Sequence, residues 1–356
     1  MVSRAEPVVL SFAGDRSRVF PPDLSALVQT GEDLWLGSDE GTEIARLRPA
    51  DRGYGEHVPF PLRDYLDLPG RADEEIDVEG LAWSDGYLWL AGSHSRRRSE
   101  ANFDPGHPAR QLRRLARVKR GGNRYLLARV PLVPAEDGAL VPCRRTDDGR
   151  HAARLPGGRR RNLLTDLLED DAHLGRFLRL PGKDNGFNVE GIAVAEDRLV
   201  LGLRGPVLRG WAVLLVLEPR AAAGNPGELR LGRIDGKRRY RKLFLDLRGL
   251  GVRDLAFDGA DLLILAGPTM ALRSDAVVLR WRDALGARDD DLVPSDRLEP
   301  VVTLPYGAGS EESVDHPEGI ALVRSEAGPS LLVVYDSPAP ARRVGEHTVL
   351  ADRFRL

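Results

Sequence analysis

The chain has 356 residues, one cysteine, a formal net charge of −2 and a charged fraction of 30%. Such a balance gives no overall pull toward nucleic acid or an anionic membrane, and the lone Cys143 excludes an intrachain disulfide. No apolar run approaches the ~18 residues of a spanning helix, and Met1–Pro7 holds no apolar signal region, so the expectation is a cytoplasmic protein with no membrane partner.

Taken in order, short apolar strands follow one another, separated by Asp/Gly turns. Pro7–Phe12 is the first. Leu24-Ser25-Ala26-Leu27-Val28 then leads through Gly31 to Leu34-Trp35-Leu36-Gly37. Asp77-Val78-Glu79-Gly80-Leu81-Ala82 leads through Asp85-Gly86 to Leu88-Trp89-Leu90-Ala91-Gly92. Arg96–Arg98 and Arg159–Arg161 lie in polar stretches and read as solvated loops. Residues 135–185 break the pattern. Within them, Leu163, Leu164, Leu167 and Leu168 have helical spacing, with Asn162 or Thr165 as cap.

The phrase returns as Asn188-Val189-Glu190-Gly191-Ile192-Ala193, followed by Leu199–Gly202. It returns again as Val252-Arg253-Asp254-Leu255-Ala256, followed by Leu262–Gly267, and as His316-Pro317-Glu318-Gly319-Ile320-Ala321, followed by Leu331–Val334.

Aligned on Leu27, Leu81, Ile192, Leu255 and Ile320, the copies are spaced by 54, 111, 63 and 65 residues. Four strands and their turns fit the shorter spacings, which predicts an all-β fold, a single β-propeller spanning 1–356. The double step holds an irregular blade or an insertion with a short helix, so six blades are favoured, with five or seven as alternatives. A pair of β-sandwiches would not require a repeated phrase. The last repeat supplies only three strands, so the N-terminal strand is expected to close the ring by pairing with the C-terminal blade.

The first strand of each propeller blade lines the central channel. Glu79, Glu190, Asp254 and Glu318 are therefore predicted to converge there. Crowded carboxylates raise one another's pKa, and a divalent cation (Ca²⁺, Mg²⁺ or Mn²⁺) would relieve the repulsion. The polar residues ahead of three of them, Asp77, Asn188 and His316, join as candidate ligand contacts. Lys183 does too, with Arg204 and Arg209 as a clamp for an anion. A loop histidine, His94, is a weaker acid–base candidate. An equally simple reading has the repeated carboxylates accept backbone N–H groups and lock neighbouring blades.

Lys183-Asp184-Asn185-Gly186-Phe187-Asn188-Val189-Glu190-Gly191-Ile192-Ala193, continuing through Gly202-Leu203-Arg204-Gly205-Pro206-Val207-Leu208-Arg209-Gly210-Trp211-Ala212, resembles the DUF3616 family of uncharacterised bacterial proteins. So does Leu263–Thr269, and the resemblance runs from about residue 20 to about residue 340. The Glu-Gly-Ile-Ala phrase is also similar to that of esterase-like phytase propellers. Gluconolactonase and paraoxonase propellers hold a cation with channel Glu and Asp. The resemblance implies a propeller and no assigned reaction.

Two functions remain open. One is a metal-dependent hydrolase of an anionic small molecule, a phosphoester or lactone. The other is a non-catalytic propeller that binds a protein or small ligand, with its carboxylates locking the blades.

Overall fold

In the computed structural model the chain is described over residues 5–12, 23–101, 106–234, 236–270, 272, 274–287, 292–305, 315–325 and 328–356. The repeated phrase forms the innermost strand of each antiparallel sheet, and the apolar run after its turn forms the second. The second strands are buried along nearly their whole length, as in Asp33–Ser38 and Tyr87–Gly92. Uninterrupted apolar runs such as Leu34-Trp35-Leu36 suit that position, because a neighbouring blade covers each face.

The first blade comprises Leu24–Thr30, Asp33–Ser38, Glu43–Ala50 and Gly53–Pro61. The second comprises Val78–Ser84, Tyr87–Gly92, Leu127–Pro134 and the short Ala153–Arg154. Its outer edge is continued by the hairpin Pro219–Ala222/Asn225–Leu231, through the pair Arg154 and Glu228. The third comprises Asn188–Ala195, Arg198–Gly205, Trp211–Leu217 and Arg241–Asp246. The fourth comprises Gly251–Asp258, Asp261–Gly267, Ala276–Trp281 and Leu298–Leu304.

The fifth joins His316–Ser325, Gly328–Asp336 and Thr348–Arg355 to the N-terminal strand Glu6–Ser11, which pairs from Glu6 opposite Arg353 to Ser11 opposite Thr348. This is the expected closure between the two ends of the described chain.

The five inner strands meet in a cycle: 24–30 with 78–84, then 188–195, 251–258, 316–325 and back to 24–30. Five apolar clusters fill the five gaps between blades. Trp35 and Ile44 meet Leu88 and Leu90 between the first and second. Trp89 and Leu127 meet Ile192 and Leu201 between the second and third. Leu214 meets Ile264 between the third and fourth, Leu265 meets Val333 between the fourth and fifth, and Leu10 meets Leu36 between the fifth and first. Six blades were favoured by the sequence spacing; the described strands make five.

The 111-residue step holds insertions instead of a blade. One excursion carries the strand pair Arg96–Arg98/Val118–Arg120 with a helix, Pro108–Leu115, between them. A second carries short strand pairs and the predicted helix, Leu163–Leu168, capped by Asn162. Leu164 and Leu168 are fully buried in the gap between the second and third blades. The helix thus fills space that a fourth strand longer than Ala153–Arg154 would occupy. No helix among the described residues is long and apolar enough to cross a membrane.

Candidate functional site at the channel mouth

Every inner hairpin slips register by one residue near its start. On the inner strands the residues thrown out of the ladder are Ser25, Glu79, Glu190, Arg253 and Glu318; the third hairpin slips a second time, on its partner strand, at Arg204. A bulge re-aims the side chain it carries, and the one device brings Glu79, Glu190, Arg253 and Glu318 together, while Ser25 Oγ donates to the Val78 carbonyl at 2.5 Å. The fourth blade contributes Arg253, not Asp254. With Leu255 matched to Leu81, Ile192 and Ile320, Asp254 occupies the position held by Gly80, Gly191 and Gly319.

These glycines face the next blade closely. A Cβ on Gly191 would lie 2.9 Å from Asp254 Cα, and one on Gly80 would lie 3.0 Å from the Ile192 nitrogen. Asp254 likewise faces the fifth blade. Its carboxylate accepts the N–H of Ile320 at 2.8 Å and that of Leu255 at 2.8 Å. The expected convergence of four carboxylates therefore holds for Glu79, Glu190 and Glu318. Asp254 is drawn aside into a blade-to-blade contact. Burial holds its pKa well above the usual carboxylate range, opposed by those two N–H groups.

Arg253 is buried and spans two blades. Its Nη1 lies 3.0 Å from Glu190 Oε2, and its Nη2 donates to Glu318 Oε1. Glu190 Oε1 also accepts from Arg204 Nη1 at 2.8 Å and from Asn188 Nδ2 at 2.7 Å. Both oxygens of Glu190 thus face cationic groups. Arg204 is fixed further by donating Nε–H to the Thr269 carbonyl at 2.9 Å. The proposed partner of Arg204 in an anion clamp, Arg209, stands exposed on the next turn, as does Lys183 on its own loop. The three do not form a clamp, because Arg204 is consumed by Glu190.

The rest of the ring is acidic. Burial first, then Asp77, Glu190 and Glu318, push Glu79 well above the usual range. Burial also lifts Glu318 to about 8, with Arg253 opposing and Asp336 adding. Asp39, just past the first blade's second strand, rises to about 7 through burial and the nearby Asp336 and Asp77. Asp77 is raised by burial, partly offset by Arg124, whose Nη2 donates to Asp77 Oδ1 at 2.7 Å. Oδ1 of Asn188 is buried with no hydrogen-bond partner among the described residues.

His316, Glu318 and Asp336 place one donor atom each within 4.8 Å of one another. His316 and Asp336 face each other across the fifth blade's inner hairpin, His316 Nδ1 lying 3.9 Å from Asp336 Oδ2. Burial works to raise the Asp336 pKa, but His316, Ser337 and Arg253 outweigh it and hold it low.

His94 is not at this site's surface. It is buried, holding Gly92 O at 2.7 Å through Nδ1 and Asn162 Nδ2 at 2.8 Å through Nε2. Burial lowers its pKa to about 4, so it is a neutral structural group that ties the helix cap to the second blade.

Sequence reasoning passed over Arg253, Arg124, Asp39 and Asp336. Arg253 was accessible, since it stands one residue before the glycine position of the aligned phrase. Asp39 and Asp336 lie at the ends of second strands outside it, and Arg124 lies in the 3-10 turn Asn123–Tyr125.

Fold and site together define a β-propeller whose channel mouth carries a buried ring of both charge signs. The chain belongs to the DUF3616 family, described as proteins of unknown function, whose sequence profile matches residues 23–352. No curated protein matches it.

Among solved structures it is similar to the glutaminyl cyclase of Myxococcus xanthus, with 11% identity over all of both chains and a TM-score of 0.40. It is also similar to the PQQ-bound aldose sugar dehydrogenase of Streptomyces coelicolor, with 13% identity, 99% of each chain covered and a TM-score of 0.38. A third is the xylan β-1,4-xylosidase of Bacillus halodurans C-125, with 12% identity, 92% of this chain and 52% of that one covered, and a TM-score of 0.43. These likenesses carry no residue-level correspondence.

Proposed function

We propose that the channel mouth holds a divalent cation through His316, Glu318 and Asp336, and that the protein is a cation-dependent hydrolase of a small anionic molecule, a phosphoester or lactone. The observation that carries this reading is the approach of three donor atoms within 4.8 Å on one hairpin. The two carboxylates, with water completing the shell, suit Mg²⁺, Mn²⁺ or Ca²⁺, and the single imidazole favours Mn²⁺ among the three. When bound, the cation would polarise the scissile bond and lower the pKa of a bound water. Glu79, whose pKa burial and then its acidic neighbours raise well above the usual range, would be the group to give a proton to a leaving oxygen.

This moves the cation site sideways from the four carboxylates of the repeated phrase. Glu190 is already neutralised by Arg204 and Arg253. Asp254 faces a backbone.

The second reading is a non-catalytic propeller that binds a protein or small ligand. Its supporting observation is Arg253, which joins the third, fourth and fifth blades with no solute required.

Metal analysis and thermal unfolding with and without each cation separate the two. The hydrolase reading expects a stoichiometric divalent ion and a rise in Tm with Mn²⁺, Mg²⁺ or Ca²⁺, both abolished in His316→Ala/Asp336→Asn. A metal-free protein whose Tm ignores all three ions leaves the scaffold reading standing.

A further inference from the structure

The net charge of −2 conceals a strongly basic excursion. Gly106 to Arg120 holds six cations and no carboxylate. Its helix, Pro108–Leu115, buries no residue. At 3.6 residues per turn, Pro108, Leu112 and Leu115 fall on one side, and Arg110, Arg113 and Arg114 on the other. Leu112 is 67% exposed and Leu115 41%. An isolated helix of eight residues is marginal in water, and this one gains nothing from a core.

The excursion leaves the second blade after Gly92, which pairs with Val78 beside the channel mouth. It leans toward the third blade, where Arg98 Nε donates to Asp184 Oδ2 at 2.7 Å. Other exposed apolar side chains lie in segments that, like the excursion, follow or precede strand ends at the channel mouth. Val118 and Leu180 lie by the excursion, and Met270 and Leu272 follow the fourth blade's second strand.

We propose that this face docks on an anionic lipid bilayer, with Pro108–Leu115 lying in the interface. An in-plane helix of this kind sinks its apolar side to the acyl boundary, while its arginines reach the lipid phosphates. Charge complementarity selects anionic headgroups, and the leucines select a bilayer over a nucleic acid. A duplex would use the arginines but leave Leu112 and Leu115 in water. The proposal reverses the expectation drawn from net charge, because the average over the chain hides a local excess. It does not depend on the hydrolase reading.

The test is co-sedimentation of the full chain with vesicles of phosphatidylcholine alone and of phosphatidylcholine mixed with phosphatidylglycerol. Binding is expected only to the mixed vesicles and is expected to weaken as salt rises. Arg113→Gln and Arg114→Gln should each weaken it about fivefold, and Leu112→Ser/Leu115→Ser by roughly tenfold or more. An unchanged Tm in these exposed-site variants keeps folding out of the result.

Failure to sediment with the mixed vesicles at low salt overturns the proposal. So does equal binding to neutral vesicles, or a leucine variant that binds like the parent. Duplex DNA, measured by fluorescence anisotropy, is the other arm. Tight binding there that the leucine change leaves untouched, without vesicle binding, assigns the arginines to nucleic acid instead.

Discussion

Arg253→Met tests whether the ring's internal cation holds three blades together. The side chain is 5% exposed and pairs with Glu190 and Glu318, both also buried. Methionine fills much of the volume but leaves the two carboxylates facing one another. Glu190 keeps Arg204 and Asn188; Glu318 loses the chief influence that lowers its pKa. Breaking a buried pair by removing one partner costs about 3–5 kcal/mol. Unfolding entropy of ~2.1 cal/mol/K per residue over 356 residues gives about 0.75 kcal/mol/K. The expected fall in Tm is therefore about 4–7 °C.

The loss has a defined pH dependence. With its folded pKa raised above the ordinary value, Glu318 binds its proton more tightly when folded. Its penalty is absent below about pH 4.5 and grows as the pH rises through its folded pKa. The variant should suffer least in acid, where Glu318 is protonated in parent and variant alike, and its loss relative to the parent should grow above about pH 8, where the parent's Glu318 ionises beside Arg253. Thermal unfolding followed by circular dichroism, in EDTA to exclude metals, measures this. A cycle with Glu318→Gln should return a coupling of roughly 1.5–3 kcal/mol. A Tm within a degree of the parent at pH 8, or a coupling near zero, refutes the view that Arg253 binds the blades.

Two further predictions concern the scaffold. His94 must stay neutral, with a folded pKa of about 4. The unfolded chain alone takes up a proton between about pH 6.5 and 4, so stability falls across that window by about 3 kcal/mol; in His94→Gln the fall between pH 7 and 4.5 should shrink, and an identical fall removes His94 as its source. Gly191→Ala would press a methyl against Asp254 Cα at 2.9 Å. A loss of roughly 1–3 kcal/mol by urea denaturation is expected, since backbone cannot retreat as a flexible side chain can, and an unchanged midpoint would mean that the contact between the third and fourth blades is loose.

The repeat was legible because a propeller imposes one local problem several times. Each blade needs an apolar inner hairpin and a small residue where it meets the next blade. That requirement writes Val-Glu-Gly-Leu-Ala, Val-Glu-Gly-Ile-Ala and Pro-Glu-Gly-Ile-Ala into the chain. Ring closure was legible for the same reason, since the last repeat lacked a strand that Glu6–Ser11 then supplied. The blade number was not. A spacing of 111 residues measures chain length, and length cannot separate a blade from two excursions. Only packing does that, and here Leu164 and Leu168 plug a gap that extra strands would have widened.

The site was legible in position and misread in sign. Looking for a carboxylate in every copy led to Asp254, whereas the register slip in each hairpin selects the residue before the glycine position. In the fourth blade that residue is Arg253. The substitution changes what the ring can do. With a fourth carboxylate in its place, the cluster would have to bind protons or an external cation at neutral pH. With a guanidinium there, Glu190 and one side of Glu318 are neutralised by the chain itself. Among the described residues, the acidic groups of the mouth outside that pairing are Glu79, Asp39, Asp336 and the Arg124-bound Asp77. Locking and acidity thus meet on the fifth blade: Arg253 ties the third, fourth and fifth blades, and on the reading proposed above a cation would sit where His316 and Asp336 flank Glu318.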